Sequence, residues 1–90
     1  MKQVLYVKAE NQPTVLPRVF QIFLQRGLTV ESLSFQVTPD AEYVQLTVTV
    51  GSQAVSPQIV KLLRRLVAVT EVRVFVAEAG VMRDSEEISA

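Results

Sequence analysis

Ninety residues make a single domain with little apolar surface to spare, so burial is expected to be completed by association with another chain. Nearly half the residues are apolar and the formal net charge is zero, which excludes a disordered chain and a strong electrostatic pull toward nucleic acid. The absence of cysteine and histidine excludes a disulfide frame, a thiol nucleophile, an imidazole base and the usual zinc ligands.

The start MKQVLYV has no long apolar run of the signal-peptide kind, and no stretch reaches the ~20 apolar residues of a membrane helix. A cytoplasmic protein with neither a membrane nor a nucleic-acid partner is therefore expected. Lys2 to Ala9 is rich in β-formers, with Leu5 and Val7 on one face and Val4 and Tyr6 on the other, the pattern of a strand central in a sheet. After the polar loop Glu10-Asn11-Gln12-Pro13, Leu16, Val19, Phe20 and Phe23 fall at helical spacing, opposite Arg18, Gln21, Gln25 and Arg26. With Thr14 as N-cap, Pro17 is the third helical residue, where its missing N–H costs no intrahelical bond. Gly27 supplies the left-handed stop.

From Leu28 the period shortens to two. Leu33, Phe35 and Val37 alternate with Ser34, Gln36 and Thr38, predicting a half-buried strand that ends at Pro39-Asp40. Tyr43 to Val50 alternates more cleanly, with Val44, Leu46, Val48 and Val50 against Gln45, Thr47 and Thr49. Ser56-Pro57 opens a second helix, whose stripe Ile59, Leu62, Leu63 and Leu66 is to be buried and whose Lys61, Arg64 and Arg65 are to be solvated. Val69 to Ala77 is a fourth strand, with Val72, Val74 and Val76 against Glu71, Arg73 and Phe75. Residues 80–90, acidic and aperiodic, are expected to form a flexible tail outside a domain of residues 1–79.

The order βαββαβ specifies an α+β, ferredoxin-like sandwich: a four-stranded antiparallel sheet with both helices on one face. That topology hosts many functions. An RNA-recognition module would need aromatic residues on the central strands and a basic surround, and strand three offers Gln45, Thr47 and Thr49. Acylphosphatase-type catalysis would need an arginine and an asparagine clamping a phosphate, and Asn11 has no arginine near it in sequence. No acid–base pair, metal cluster or other catalytic set can be named. What the loop does offer is the amide of Asn11 ahead of the helix start at Thr14, Val15 and Leu16, where unpaired backbone N–H groups suit the carboxylate of an amino acid. The structural reading of the same residue is an Asx-turn before the helix. Arg64 and Arg65 read as a solvated face, although a basic ridge can also dock an acidic partner.

Glu10 to Phe35 resembles the ACT domain, and most closely the regulatory small subunit of acetolactate synthase. The likeness is carried by Glu10-Asn11, by Leu16 with Arg18-Val19, and by the run Gln25-Arg26-Gly27-Leu28-Thr29-Val30-Glu31-Ser32-Leu33; Leu66-Val67-Ala68-Val69 followed by Val72 resembles the exit from the family's second helix. It covers nearly the whole chain. The resemblance implies a non-catalytic subunit that activates a large subunit in branched-chain amino-acid synthesis. This chain would carry no cofactor, and the large subunit would carry thiamine diphosphate, magnesium and FAD. It also implies a homodimer paired through sheet edges, and in many members feedback by valine at the interface of two such domains. Longer members add a C-terminal domain, so the chain resembles the short small subunits.

The implied amino-acid site comprises Asn11, Thr14, Val15, Leu16, Thr29 and Val30. Valine-binding members tend to carry glycine where Thr14 stands and asparagine where Thr29 stands, so the expectation is activation with weak or absent valine control. The competing reading is a free-standing ACT sensor with no enzyme partner. Two surfaces are open to a large subunit: the uncovered sheet face with Gln45, Thr47 and Thr49, and the helical face with Arg18, Gln21 and Arg65.

Overall fold

The computed structural model describes residues 2–51, 55–78 and 81–84. The elements run β1 (Lys2–Glu10), α1 (Val15–Gln25), β2 (Val30–Val37), β3 (Tyr43–Val50), α2 (Pro57–Arg65), β4 (Val69–Glu78) and β5 (Val81–Asp84). The strands form one antiparallel sheet in the order β2-β3-β1-β4-β5, with β1 at its centre as its two apolar faces predicted.

β3 obeys its alternation to the letter. Val44, Leu46, Val48 and Val50 are buried, in one cluster with Leu5 and Val7 of β1 and Val72 and Val74 of β4. Val19, Ile22 and Phe23 of α1 and Ile59, Val60 and Leu63 of α2 close that cluster from above. The buried stripes are rotated slightly from those expected. Ile22 and Val60 are buried, while Leu16, Phe20, Leu62 and Leu66 pack at the margin, because the helix faces are set by their lie on the twisted sheet as well as by their own periodicity.

The helix ends follow local chemistry. Ser56 caps α2, its Oγ accepting from the Ile59 N–H at 3.3 Å, and Pro57 takes the first helical position. Thr14 occupies the N-cap position of α1 without a side-chain capping bond. Gly27 stops α1 at φ +67°, and the Leu28 N–H donates back to the Phe23 carbonyl at 2.9 Å.

Two strands slip register by one residue. Lys8 faces Glu71 but Ala9 faces Val69, so Thr70 is the extra residue on β4, and its hydroxyl donates to the Lys8 carbonyl at 3.1 Å. On β2, Val30 faces Val50 while Ser32 faces Thr49, which leaves Glu31 extra.

Two expectations are revised. β2 is not half-buried along its length: Phe35 and Val37 are 42% and 48% exposed, because β2 is an edge strand lying beyond the cover of the helices. The sheet has a fifth strand in the stretch read as a tail, where Val81–Asp84 pairs with Phe75–Glu78 through backbone groups that need no side-chain pattern. The rest of the expected tail, residues 80 and 85–90, together with the boundary at residue 79, lies outside the described residues.

The β2–β3 turn holds Ala41 at φ +62°, a left-handed conformation that costs a side-chain-bearing residue roughly 1–2 kcal/mol. Ala41→Gly is expected to raise the stability measured by urea unfolding by about 0.5–1 kcal/mol, the relieved strain exceeding the added chain entropy.

Candidate functional site

The loop between β1 and α1 is pinned at both ends. The Glu10 N–H donates to the Ala68 carbonyl (2.8 Å) and the Asn11 N–H to the Glu42 carbonyl (3.0 Å). The Asn11 side chain forms no Asx-turn. Its Nδ2 reaches across the fold and donates to the Ala41 carbonyl at 3.0 Å, tying the helix-start loop to the β2–β3 turn. Asn11 stays exposed.

Thr14 is exposed, whereas Val15 is buried in the core and Leu16 half-buried against it. Asn11, Thr14, Val15 and Leu16 thus gather at one end of the sheet, where Glu10 pairs with Tyr43. Thr29 and Val30 stand at the other end, where Val30 pairs with Val50 and the Thr29 carbonyl accepts from the Gly51 N–H at 3.2 Å. The length of β2 separates the two groups by roughly 23 Å, at ~3.3 Å per residue. One chain therefore does not bring all six candidate residues together.

Sequence reading missed a cleft of about 40 Å³ beside the loop. Gln12, Thr14, Val15 and Arg18 form one wall, and Leu66 to Val69, where α2 gives way to β4, forms the other. The signal was divided between two distant segments, so no spacing along the chain could reveal it. A second hollow, of about 310 Å³, lies on the uncovered sheet face between Val4, Tyr6, Thr47 and Phe75. Lys8 stacks over the Tyr43 ring (4.8 Å) and Arg73 over Phe75 (5.8 Å) on that face, and Arg73 also pairs with Glu71 at 3.8 Å.

Among the described residues no three acidic side chains are grouped so as to hold a metal ion. No helix among them is long and apolar enough to cross a membrane.

A sequence profile described as the ACT domain matches residues 11–72, from the pinned loop to the middle of β4. The chain belongs to the ACT domain family. Its similarity to named proteins is more specific. It is 41% identical over 73 residues to the acetolactate synthase isozyme 3 small subunit of Escherichia coli, covering 80% of this chain and 45% of that one. It is 34% identical over 85 residues to a probable acetolactate synthase small subunit of Archaeoglobus fulgidus, covering 93% and 53%. The chain spans about half the length of the curated relatives it matches. The solved ACT domain from GTP pyrophosphokinase of Chlorobium tepidum superposes with a TM-score of 0.64 over 82% of this chain and 96% of that one, at 8% identity, a likeness of fold alone.

The turn that receives the Asn11 tether carries a titratable group. The Thr38 hydroxyl donates to Asp40 Oδ1 (2.5 Å) and the Glu42 N–H to the same oxygen (3.0 Å), and these bonds, the first foremost, hold the Asp40 carboxyl below its ordinary value. Because the folded value is depressed, the contribution of these bonds is present above the unfolded value of about 3.9 and is lost as pH falls through the lower folded value. A carboxyl-carbon NMR titration is expected to place the Asp40 midpoint below that of an unstructured aspartate, and Asp40→Asn to remove the corresponding acid step in turn stability.

Proposed function

We propose that this chain is the regulatory small subunit of an acetolactate synthase, itself non-catalytic, which binds and activates a large subunit in branched-chain amino-acid synthesis in the cytoplasm. In this reading thiamine diphosphate, magnesium and FAD belong to the large subunit. The observation that carries the proposal is the 41% identity, over 80% of the chain, to a protein of that name.

The separation of the candidate site residues supports a dimer within the same reading. Two-fold pairing of β2 with a second β2 is antiparallel, so the Thr29–Val30 end of one copy comes to lie beside the Val37 end of the other. The Val37 end is next to the Asn11 loop through the β2–β3 turn. A small amino acid would then sit between Asn11, Thr14, Val15 and Leu16 of one copy and Thr29 and Val30 of the partner copy. Phe35 and Val37, both exposed on β2, give that edge apolar surface to bury. The side chains of Thr14 and Thr29 make valine a weak ligand at best.

Reconstitution tests the reading. Adding the purified chain to its large subunit is expected to raise acetolactate formation several-fold, and no change in rate would overturn the proposal. Calorimetry with valine is expected to give a Kd above about 1 mM; submillimolar binding would overturn the weak-feedback part alone.

A further inference from the structure

The chain is neutral as a whole, but its charges are segregated. Neither helix contains an acid, and five of the nine cations, Arg18, Arg26, Lys61, Arg64 and Arg65, lie on or directly after the helices; all nine acids are elsewhere. α1 begins where α2 ends, since the first turn of α1 and the Leu66–Val69 segment line one cleft. Arg18 stands on one side of that corner. Arg64 and Arg65 fill the last turn of α2 on the other, Arg64 also donating to the Val72 carbonyl at 3.2 Å.

At the tip of the same corner Val67 is 94% exposed, more than any other large apolar side chain among the described residues. Glu10, whose backbone N–H donates to the Ala68 carbonyl beside this corner, has its carboxylate accepting from the Gln12 amide at 3.3 Å. β3 stands between β2 and the β1–β4 junction over which the corner lies, so pairing through β2 engages the Asn11–Leu16 side and leaves the Arg64–Val67 side, next to β4, uncovered.

Resting on the regulatory-subunit reading above, we infer that this corner is the docking point for the large subunit, and that it receives an acidic segment of that subunit bearing a short apolar side chain. Cationic side chains grouped around an exposed aliphatic tip, on a layer with no acid of its own, complement an anionic protein surface in charge and an apolar pocket in shape. The charges speed and orient the encounter, and Val67, once desolvated, sets the lifetime of the complex. The uncovered sheet face offers no such complementarity, because Lys8 and Arg73 are engaged there with Tyr43, Phe75 and Glu71.

The test is the affinity of the full chain for its large subunit, measured by interferometry at low and high salt and followed in parallel by the rise in acetolactate formation. Wild-type affinity is expected to fall with salt. Arg18→Glu with Arg65→Glu is expected to weaken binding about tenfold or more and to flatten the salt dependence, and Val67→Asp to weaken it comparably through faster dissociation. All three positions are exposed, and gel filtration and circular dichroism are expected to show an unchanged fold and oligomer. Thr47→Glu, on the sheet face, is expected to leave affinity unchanged. Wild-type binding that persists undiminished in the corner variants, is insensitive to salt, or is lost with Thr47→Glu overturns the corner assignment while leaving the regulatory reading in place. Failure of the wild type to bind the large subunit overturns both. Corner variants that lose affinity for heparin but not for the large subunit overturn the assignment in favour of a polyanion site.

Discussion

Two helices of eleven and nine residues can bury only one face of this sheet, and the outward properties of the molecule follow from that limit. The covered face takes most of the aliphatic side chains of β1, β3 and β4 into one cluster with the helix stripes. Burial at ~25 cal/mol per Å² makes that cluster the main source of stability in so small a chain. Among the described residues, the large apolar side chains it leaves exposed are Phe35 and Val37 on β2, Leu24 on α1 and Val67 at the exit from α2, with the half-buried Tyr6 and Phe75 beside a hollow on the opposite face. Apolar surface left outside the core in this way is surface that an association with another chain would bury.

The fold was legible wherever a local rule and the packing agreed. The alternation of β3, the serine–proline start of α2 and the glycine stop of α1 each state their structure in a few residues, and the order of elements follows. The exposure of Phe35 and Val37 was not legible, because alternation tells which way a side chain points and says nothing about whether a helix reaches far enough to cover it. The strand Val81–Asp84 was missed for a related reason: it is held by backbone pairing to β4, which leaves no trace in hydropathy.

The candidate site divided in the same way. That the loop before α1 carries useful polar groups could be read from Asn11 and the helix start, but its partner, the Ala41 carbonyl thirty residues away, could not. Thr29 and Val30 appear close to the loop in sequence and stand at the far end of the sheet in space, since α1 and the length of β2 intervene. Charge segregation was visible in the sequence as two helices without acids. Its meaning needed the fold, which turns the start of one helix and the end of the other into a single corner.

The register slip at Thr70 has an effect out of proportion to its size. Side chains three apart on a regular strand point to opposite sides, yet Val69 and Val72 both turn toward the helices. The one additional residue inverts the phase of the strand, so that the chain arriving from α2 presents Val69 inward as it joins the sheet. That change of parity keeps Val69 against the core at the very point where the chain leaves the exposed Val67 behind.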